Sequence, residues 1–200
     1  MKKGLKILIL SDLLIIMGFG LISPILAIFI KEDLFGGSAF AAGMAITVSL
    51  LTKSALQMFF GKIEDHHAKK KFLIYGTFLI TLTPLGYFFA KTVMHMYFLQ
   101  FIYGVGTAMA VPSYLVLFTS FMDRGKEAYE WGVYGTVVGF GTAITASLGG
   151  FIAERFSFEL LFLITFFIGI FGTALLFWVP EKHFKQKKRV GSVSAKQQSL

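Results

Sequence analysis

The sequence has no cysteine, four prolines and two tryptophans, and charged residues make up only 15% of its 200 positions. Without a thiol, disulfides, thiolate metal sites and thiol redox chemistry are all excluded. Soluble domains average roughly 25% charged residues, so this chain lacks the means to clothe a domain of its size in a solvated surface. No nucleophile–base arrangement and no Gly-Lys-Ser/Thr phosphate loop occurs, so the reading is not an enzyme, and no cofactor is expected. The adjacent Glu64, Asp65, His66 and His67 stand at spacings that close no cage, so no metal site is expected either.

What is abundant is apolar. Hydrophobic residues reach 56%, mean hydropathy is +0.72, and the apolar residues come in runs of the length a bilayer core demands. Six spans follow, at about 7–30, 38–60, 72–90, 94–121, 130–153 and 159–180. Their length and the lack of strict alternation make them helices, not barrel strands. The organisation is therefore a cytoplasmic N-terminus (1–6), a transmembrane bundle (7–180) and a basic tail or linker (181–200). Gly36-Gly37, Gly61 and Gly125 are expected to mark breaks, with Gly61 ending the second helix. The first run is too long, and lacks the small-residue site, for a cleavable signal peptide.

The net charge of +8 lies mostly between the spans, which argues for helix orientation and against nucleic acid. With the N-terminus inside, fifteen of the nineteen Lys and Arg fall on inner segments, while Lys31, Lys91 and Arg155 fall outside. That bias predicts a multi-pass protein of the plasma (inner) membrane with both termini cytoplasmic.

The remaining cation, Lys53, lies inside the second span, and Asp12 lies inside the first. An ionisable group at membrane depth is a functional candidate by default. Similar estimated depths make an Asp12–Lys53 pair a plausible arrangement, with Asp12 as proton carrier. Ser49, Lys53 and Gln57 share one helical face, expected to look into a cavity. Two plainer readings stay open: Lys53 snorkels to inner headgroups, and Asp12 occupies a polar first turn. In the fourth span Gln100, Tyr103, Thr107 and Tyr114 lie close to one face, suited to a small organic substrate or to interhelical hydrogen bonds. Gly135-x-x-x-Gly139 in the fifth span reads as helix packing.

The stretch Gly61-Lys-Ile-Glu-Asp65-His66-His67-Ala68-Lys69-Lys70 resembles the signature loop of the major facilitator superfamily, Gly-x-x-x-Asp-basic-x-Gly-basic-basic. Gly61, Asp65, Lys69 and Lys70 match; His66 and Ala68 depart. Gly18-Phe-Gly20-Leu-Ile-Ser-Pro24 is similar to the first helix of the drug-exporter-like branch. Gly104-Val-Gly106, Arg124-Gly125, Gly149-Gly150 and Phe158–Phe162 fit the later helices. Many proton-coupled members carry an arginine where this chain has Gln100, and the exporter branches a Gly-Pro where it has Thr145-Ala146.

The resemblance implies an all-α membrane protein whose six helices form two inverted three-helix repeats, the N-terminal half of a twelve-helix transporter. Helices one and four then correspond, and their Gly18, Gly20, Pro24 and Gly104, Gly106, Pro112 are expected as helix breaks or hinges beside a transport site. The resemblance assigns Gly61, Asp65, Lys69 and Lys70, with Arg124 as a partner, to a cytoplasmic brace. Asp12, Lys53, Gln57, Gln100, Tyr103 and Thr107, picked out above by depth and shared helical faces, are then expected to line the substrate and proton pathway. The function so implied is secondary, ATP-independent transport of a small organic solute by alternating access, with proton coupling. Its partners are the lipid bilayer, a small-molecule substrate and a second six-helix half: a separate chain, a continuation of this one, or a second copy. The alternatives are a six-span scaffold or assembly protein, or an inactive N-terminal fragment of a longer transporter.

Overall fold

The computed structural model describes residues 1–66 and 69–180, apart from the side chains of Asp65 and His66. Its helices are α1 (Lys3–Ile22), α2 (Leu26–Glu32), α3 (Ala39–His66), α4 (Lys69–Phe89), α5 (Val93–Phe121), α6 (Glu127–Arg155) and α7 (Phe158–Leu175), closed by a 3-10 turn at Leu176–Trp178. Among the described residues, six stretches are long and apolar enough to cross a membrane. The expected tail, 181–200, lies outside the described residues.

Two local features depart from the sequence reading, at Pro112 and at Gly61. The first span is broken, because α1 ends at Ile22 and α2 starts at Leu26, on either side of Pro24. A proline has no N–H to donate and crowds the carbonyl four residues earlier. Pro112, its expected counterpart, stays inside an unbroken α5. Gly61 does not end the second helix: α3 runs through it for 28 residues. An interior glycine costs about 1 kcal/mol. Beyond it Glu64 is buried and accepts a 2.8 Å hydrogen bond from Ser113 of α5, which anchors the extension. Gly36 and Gly125 do mark turns, with φ of +81° and +79°, a region that favours glycine.

The packing interlocks two three-helix units. In the first unit (α1–α2, α3, α4) the leading helix α1 packs on α6 and α7 of the second. In the second unit (α5, α6, α7) the leading helix α5 packs on α3 and α4 of the first. Contact between α4 and α7 joins the two pairs. Glycines set the crossings: Gly18 lies against Thr165 of α7 and Gly20 against Thr145 of α6, while Gly104 lies against Ser49 and Thr52 of α3 and Gly106 against Gly76 of α4. Lipid gives helices little hydrophobic reason to associate, so close backbone approach and interhelical hydrogen bonds must hold them. Thr165 Oγ1 donates to the Gly18 carbonyl at 3.0 Å and Ser11 Oγ to the Gly172 carbonyl at 2.7 Å, both between α1 and α7.

Two apolar clusters close the ends of the bundle. One gathers Leu5, Leu8, Leu117, Phe118 and Phe121 near the Met1 end. The other gathers Ile22, Phe29, Ile30, Tyr87 and Phe162 at the opposite end. There the α2–α3 and α4–α5 turns are stitched by Phe35 N–H to Lys91 O (3.0 Å) and Val93 N–H to Phe35 O (3.3 Å).

α3 and α6 stand apart from the rest. Only 22% and 17% of their most apolar windows are buried, against 39–44% in the other four spans. A Cβ at Gly43 or Gly61 of α3, or at Gly135 or Gly139 of α6, would meet nothing within 4 Å. The Gly135-x-x-x-Gly139 face therefore packs on no described residue of this chain. By contrast, a Cβ at Gly149 would fall on the Leu21 backbone. Gly149→Ala is expected to lower the stability of the detergent-solubilised protein by about 1–3 kcal/mol. Gly139→Ala is expected to leave it unchanged or raise it by up to ~1 kcal/mol through helix propensity. Thermal or denaturant unfolding of the two variants checks the contrast.

Candidate functional site

Among the described residues, two half-open cavities are set into the bundle. One, about 370 Å³, is lined by Asp12, Ile15, Ile16 and Phe19 of α1, by Leu73, Thr77 and Ile80 of α4, by α5 from Tyr103 to Leu115, and by Trp131 and Tyr134 of α6. The other, about 270 Å³, lies toward the opposite end, among α1, the Pro24 turn, α2, Ala42, Ile46 and Ser49 of α3, Tyr87 of α4, and Gln100 and Tyr103 of α5. Phe19 and Tyr103 line both, with ring centroids 5.3 Å apart and planes at 45°.

Asp12 lies nine residues into α1, ~14 Å along the helix from Lys3. Tyr134 Oη donates a 2.6 Å hydrogen bond to Asp12 Oδ2. Behind it stands an aromatic wall. Trp131 packs on Phe118 at 4.4 Å and on Tyr134 at 5.7 Å, and Tyr114 lies 6.1 Å from Tyr134. The buried Tyr114 hydroxyl makes no hydrogen bond among the described residues. A carboxylate at membrane depth costs about 2.5–3.5 kcal/mol, an expense that marks such groups as functional. The electron-rich ring faces around it favour positive charge.

The expected Asp12–Lys53 pair does not form. Lys53 and Gln57 are half-buried, line neither cavity, and make no ion pair among the described residues. The helix that meets Asp12 is α6, whereas the pairing assumed α3. Ser49, the third member of that stripe, lines the smaller cavity with its hydroxyl bonded to the Ile46 carbonyl at 2.8 Å. Of the fourth-span residues, Gln100 lines the smaller cavity, Tyr103 both, and Thr107 and Tyr114 the larger. Thr107 Oγ1 is spent on its own helix, donating to the Tyr103 carbonyl at 2.7 Å. Gly18, Gly20, Gly104 and Gly106 face neighbouring helices, and Pro24 alone of the two prolines coincides with a break.

Sequence reasoning passed over Trp131 and Tyr134. Their signal was an aromatic pair three residues apart, hence on one face of the fifth span.

At the Met1 end, Lys69 Nζ donates to the Glu64 carbonyl and Lys70 Nζ to the Phe177 carbonyl, each at 2.8 Å. These cations sit on backbone oxygens near helix C-termini, where the helix dipole favours them. Asp65, the acid of the expected brace, has its side chain outside the described set. Arg124 is exposed and makes no ion pair among the described residues. Its neighbour Asp123 takes the Met1 ammonium at 2.9 Å and Lys2 Nζ at 3.6 Å. The buried Glu130 accepts the Asp123 N–H at 2.9 Å and lies 3.5 Å from the same ammonium. Met1 and Lys2, just ahead of α1, are thereby tied to the α5–α6 turn and the start of α6.

Comparison with known proteins places these features in a family. A family model described as Major Facilitator Superfamily matches residues 8–198, so the chain belongs to that superfamily. It is 31% identical over 166 residues to the multi-drug resistance efflux pump PmrA of Streptococcus pneumoniae, which covers 82% of this chain and 41% of the pump. It is 25% identical over 198 residues to a PmrA homolog of Lactococcus lactis, 98% of this chain and 49% of that protein. It is 23% identical over 154 residues to the quinolone resistance protein NorA of Staphylococcus aureus, 77% of this chain and 39% of that protein. The chain thus spans half or less of the length of these relatives. It is a multi-pass membrane protein of a transporter family.

The ion pair at the Met1 end predicts a pH response. The hydrogen bond from the Met1 ammonium, then its charge and that of Lys2, hold the Asp123 carboxyl below its ordinary value. A carboxylate held low contributes stability that is present above the unfolded value, near 4, and is lost as pH falls through the folded one. Melting temperature should therefore fall below about pH 4, and Asp123→Asn should make that acid limb shallower. The effect is small and shrinks further in high salt, because the pair is partly exposed.

Proposed function

We propose that this chain forms the N-terminal half of a secondary transporter that moves a small organic cation by alternating access, exchanging it for a proton at Asp12. The observation that carries the reading is a carboxylate at membrane depth, in a cavity walled by Phe19, Tyr103, Trp131 and Tyr134, with no ion pair among the described residues. A proton and a cationic solute compete for such a group, which is what couples their movements. Each ring face contributes up to about 2 kcal/mol to a desolvated cation. The PmrA and NorA relatives, whose names describe multi-drug efflux and quinolone resistance, support export of organic solutes.

A second six-helix half completes the pathway. The poorly buried α3 and α6, with Gly43, Gly135 and Gly139 open to close approach, are the side on which it packs. Both termini lie on the cytoplasmic side of the plasma membrane, in line with the fifteen-to-three bias of basic residues. Asp65, Lys69, Lys70 and Arg124 then brace the cytoplasmic end. Contacts such as Lys70 to the Phe177 carbonyl hold α4 to the end of α7 until inward opening. A scaffold has no use for the Asp12 cavity.

Methyltriphenylphosphonium tests the reading on the purified chain, with Trp131 as reporter in a Trp178→Phe background. The cation is expected to quench Trp131 and release a proton into weakly buffered solution. Asp12→Asn should weaken binding at least about tenfold and abolish the release, the scale of a charge-assisted contact. Wild-type affinity and proton release in Asp12→Asn would sink the proposal.

A further inference from the structure

Among the described residues, Tyr114 is the one tyrosine whose hydroxyl is buried without a hydrogen bond. It stands on α5 and lines the larger cavity together with Asp12. Its ring is fixed from two sides. Phe118, one turn further along α5, lies 5.6 Å away at 37°, and Tyr134 of α6 lies 6.1 Å away at 41°. A phenylalanine would make the same ring contacts without burying a hydroxyl, which is unfavourable in apolar surroundings unless it is paired. The hydroxyl therefore calls for a partner. The groups that act on it electrostatically are the Asp12 carboxyl and the Tyr134 hydroxyl. Tyr134 is already committed, donating to Asp12 Oδ2 at 2.6 Å, which leaves the carboxyl. Other titratable groups are engaged or remote. Glu130, one turn ahead of Tyr134 on α6, meets the Asp123 N–H and the Met1 ammonium. α7 carries only Glu159, at the end away from Met1, and α4 presents Leu73, Thr77 and Ile80. Tyr103, the third phenol of the cavity, lies ~16 Å from Tyr114 along α5. Lys53 lines neither cavity.

We infer that Tyr114 is a positioning residue for Asp12: its hydroxyl donates to the carboxylate when the acid is ionised and lets go when the acid is protonated. An ionised carboxylate can only accept hydrogen bonds, and donors to it form the strong, charge-assisted kind. Protonation gives the acid an O–H of its own and removes the charge that draws the second phenol in. Tyr134 reaches Asp12 from α6, and Tyr114 approaches from α5. Ionisation then fastens α1 to both of these helices, and a proton releases α5. The charge on one atom group is thereby turned into a contact between the leading helices of the two three-helix units. The inference rests on the reading of Asp12 as the proton-exchanging acid, and it names the group through which the fold registers that proton.

Infrared difference spectra of the full chain in lipid nanodiscs, taken between acid and alkaline solution, test this without any solute. Bands that vanish in Asp12→Asn assign the Asp12 carboxylate. In Tyr114→Phe, checked for an unchanged melting temperature, the carboxylate stretch should shift, because one donor is gone. A ring that only packs would leave it in place. In Tyr134→Phe, where the other phenol is absent, ionisation of Asp12 should still perturb a tyrosine C–O band, and adding Asp12→Asn should abolish that change. This second measurement keeps residue 114 intact, so it stands even if Tyr114→Phe fails to fold. With solute added, Tyr114→Phe should bind methyltriphenylphosphonium about tenfold less tightly near neutral pH, the scale of a charge-assisted contact. In alkaline solution, where the acid is ionised without help, it should match the wild type. A carboxylate stretch unmoved in Tyr114→Phe, or no tyrosine change in Tyr134→Phe, would overturn the inference. Shifted bands without cation binding would remove the exchange reading alone. Cation exchange at Asp12 with unmoved bands would remove this one alone, and an Asp12 that ionises at no pH would remove both.

Discussion

Everything in this bundle depends on two helices passing within backbone distance of their neighbours. α1 is wedged between α6 and α7, and α5 between α3 and α4, so each three-helix unit lends its leading helix to the other. Without water to drive apolar surfaces together, such wedging holds only if the backbones nearly touch. Gly18, Gly20, Gly104 and Gly106 permit it on the inserted helices, and Gly76 and Gly149 permit it on two of those that receive them. The exchange also means that neither unit owns a complete core. It brings Phe19 of one inserted helix against Tyr103 of the other, and so creates a partition with a cavity on each side.

The polar groups are sorted by what each cavity must tolerate. Buried carboxylates at the Met1 end are met by hydrogen-bond donors: Glu64 by the Ser113 hydroxyl, Glu130 by the Asp123 N–H. Asp12 is met by a phenol, Tyr134, whose bond leaves the acid's charge unneutralised. Among the described residues, the polar groups lining the opposite cavity are all neutral. A single small bundle thus presents one acidic and one neutral chamber.

Span number and the alternation of charged turns were legible because a bilayer imposes length and polarity directly on the chain. The repeat was legible through Gly18-x-Gly20 and Gly104-x-Gly106, expected as hinges, whereas what these glycines do in the structure is let neighbouring helices pack closely. What could not be read was which helices touch. Similar estimated depths put Asp12 beside Lys53, yet the partner came from α6, because the interlocked units place α6 on α1. Gly61 looked like a stop signal because its propensity is poor. The tertiary anchor at Glu64, which overrides that propensity, involves Ser113 nearly fifty residues away. Pro24 and Pro112 had the same local signature, and only one became a break. Gln100 and Tyr103 were seen as one stripe, whereas three-dimensional packing gave Gln100 to one chamber and set Tyr103 on the boundary.

The uninterrupted passage of α3 through Gly61 has a mechanical consequence. At 28 residues the helix is ~42 Å long, against a hydrocarbon core of about 30 Å. Some two turns therefore stand beyond the apolar layer as a stiff arm fused to a wall of the neutral chamber at Ser49. A straight rod of that length, pivoting by ~10° at one end, carries its tip through ~7 Å. Because Glu64 near that tip is bonded to Ser113 of α5, any such tilt of α3 would be passed directly to α5 at the Met1 end of the bundle.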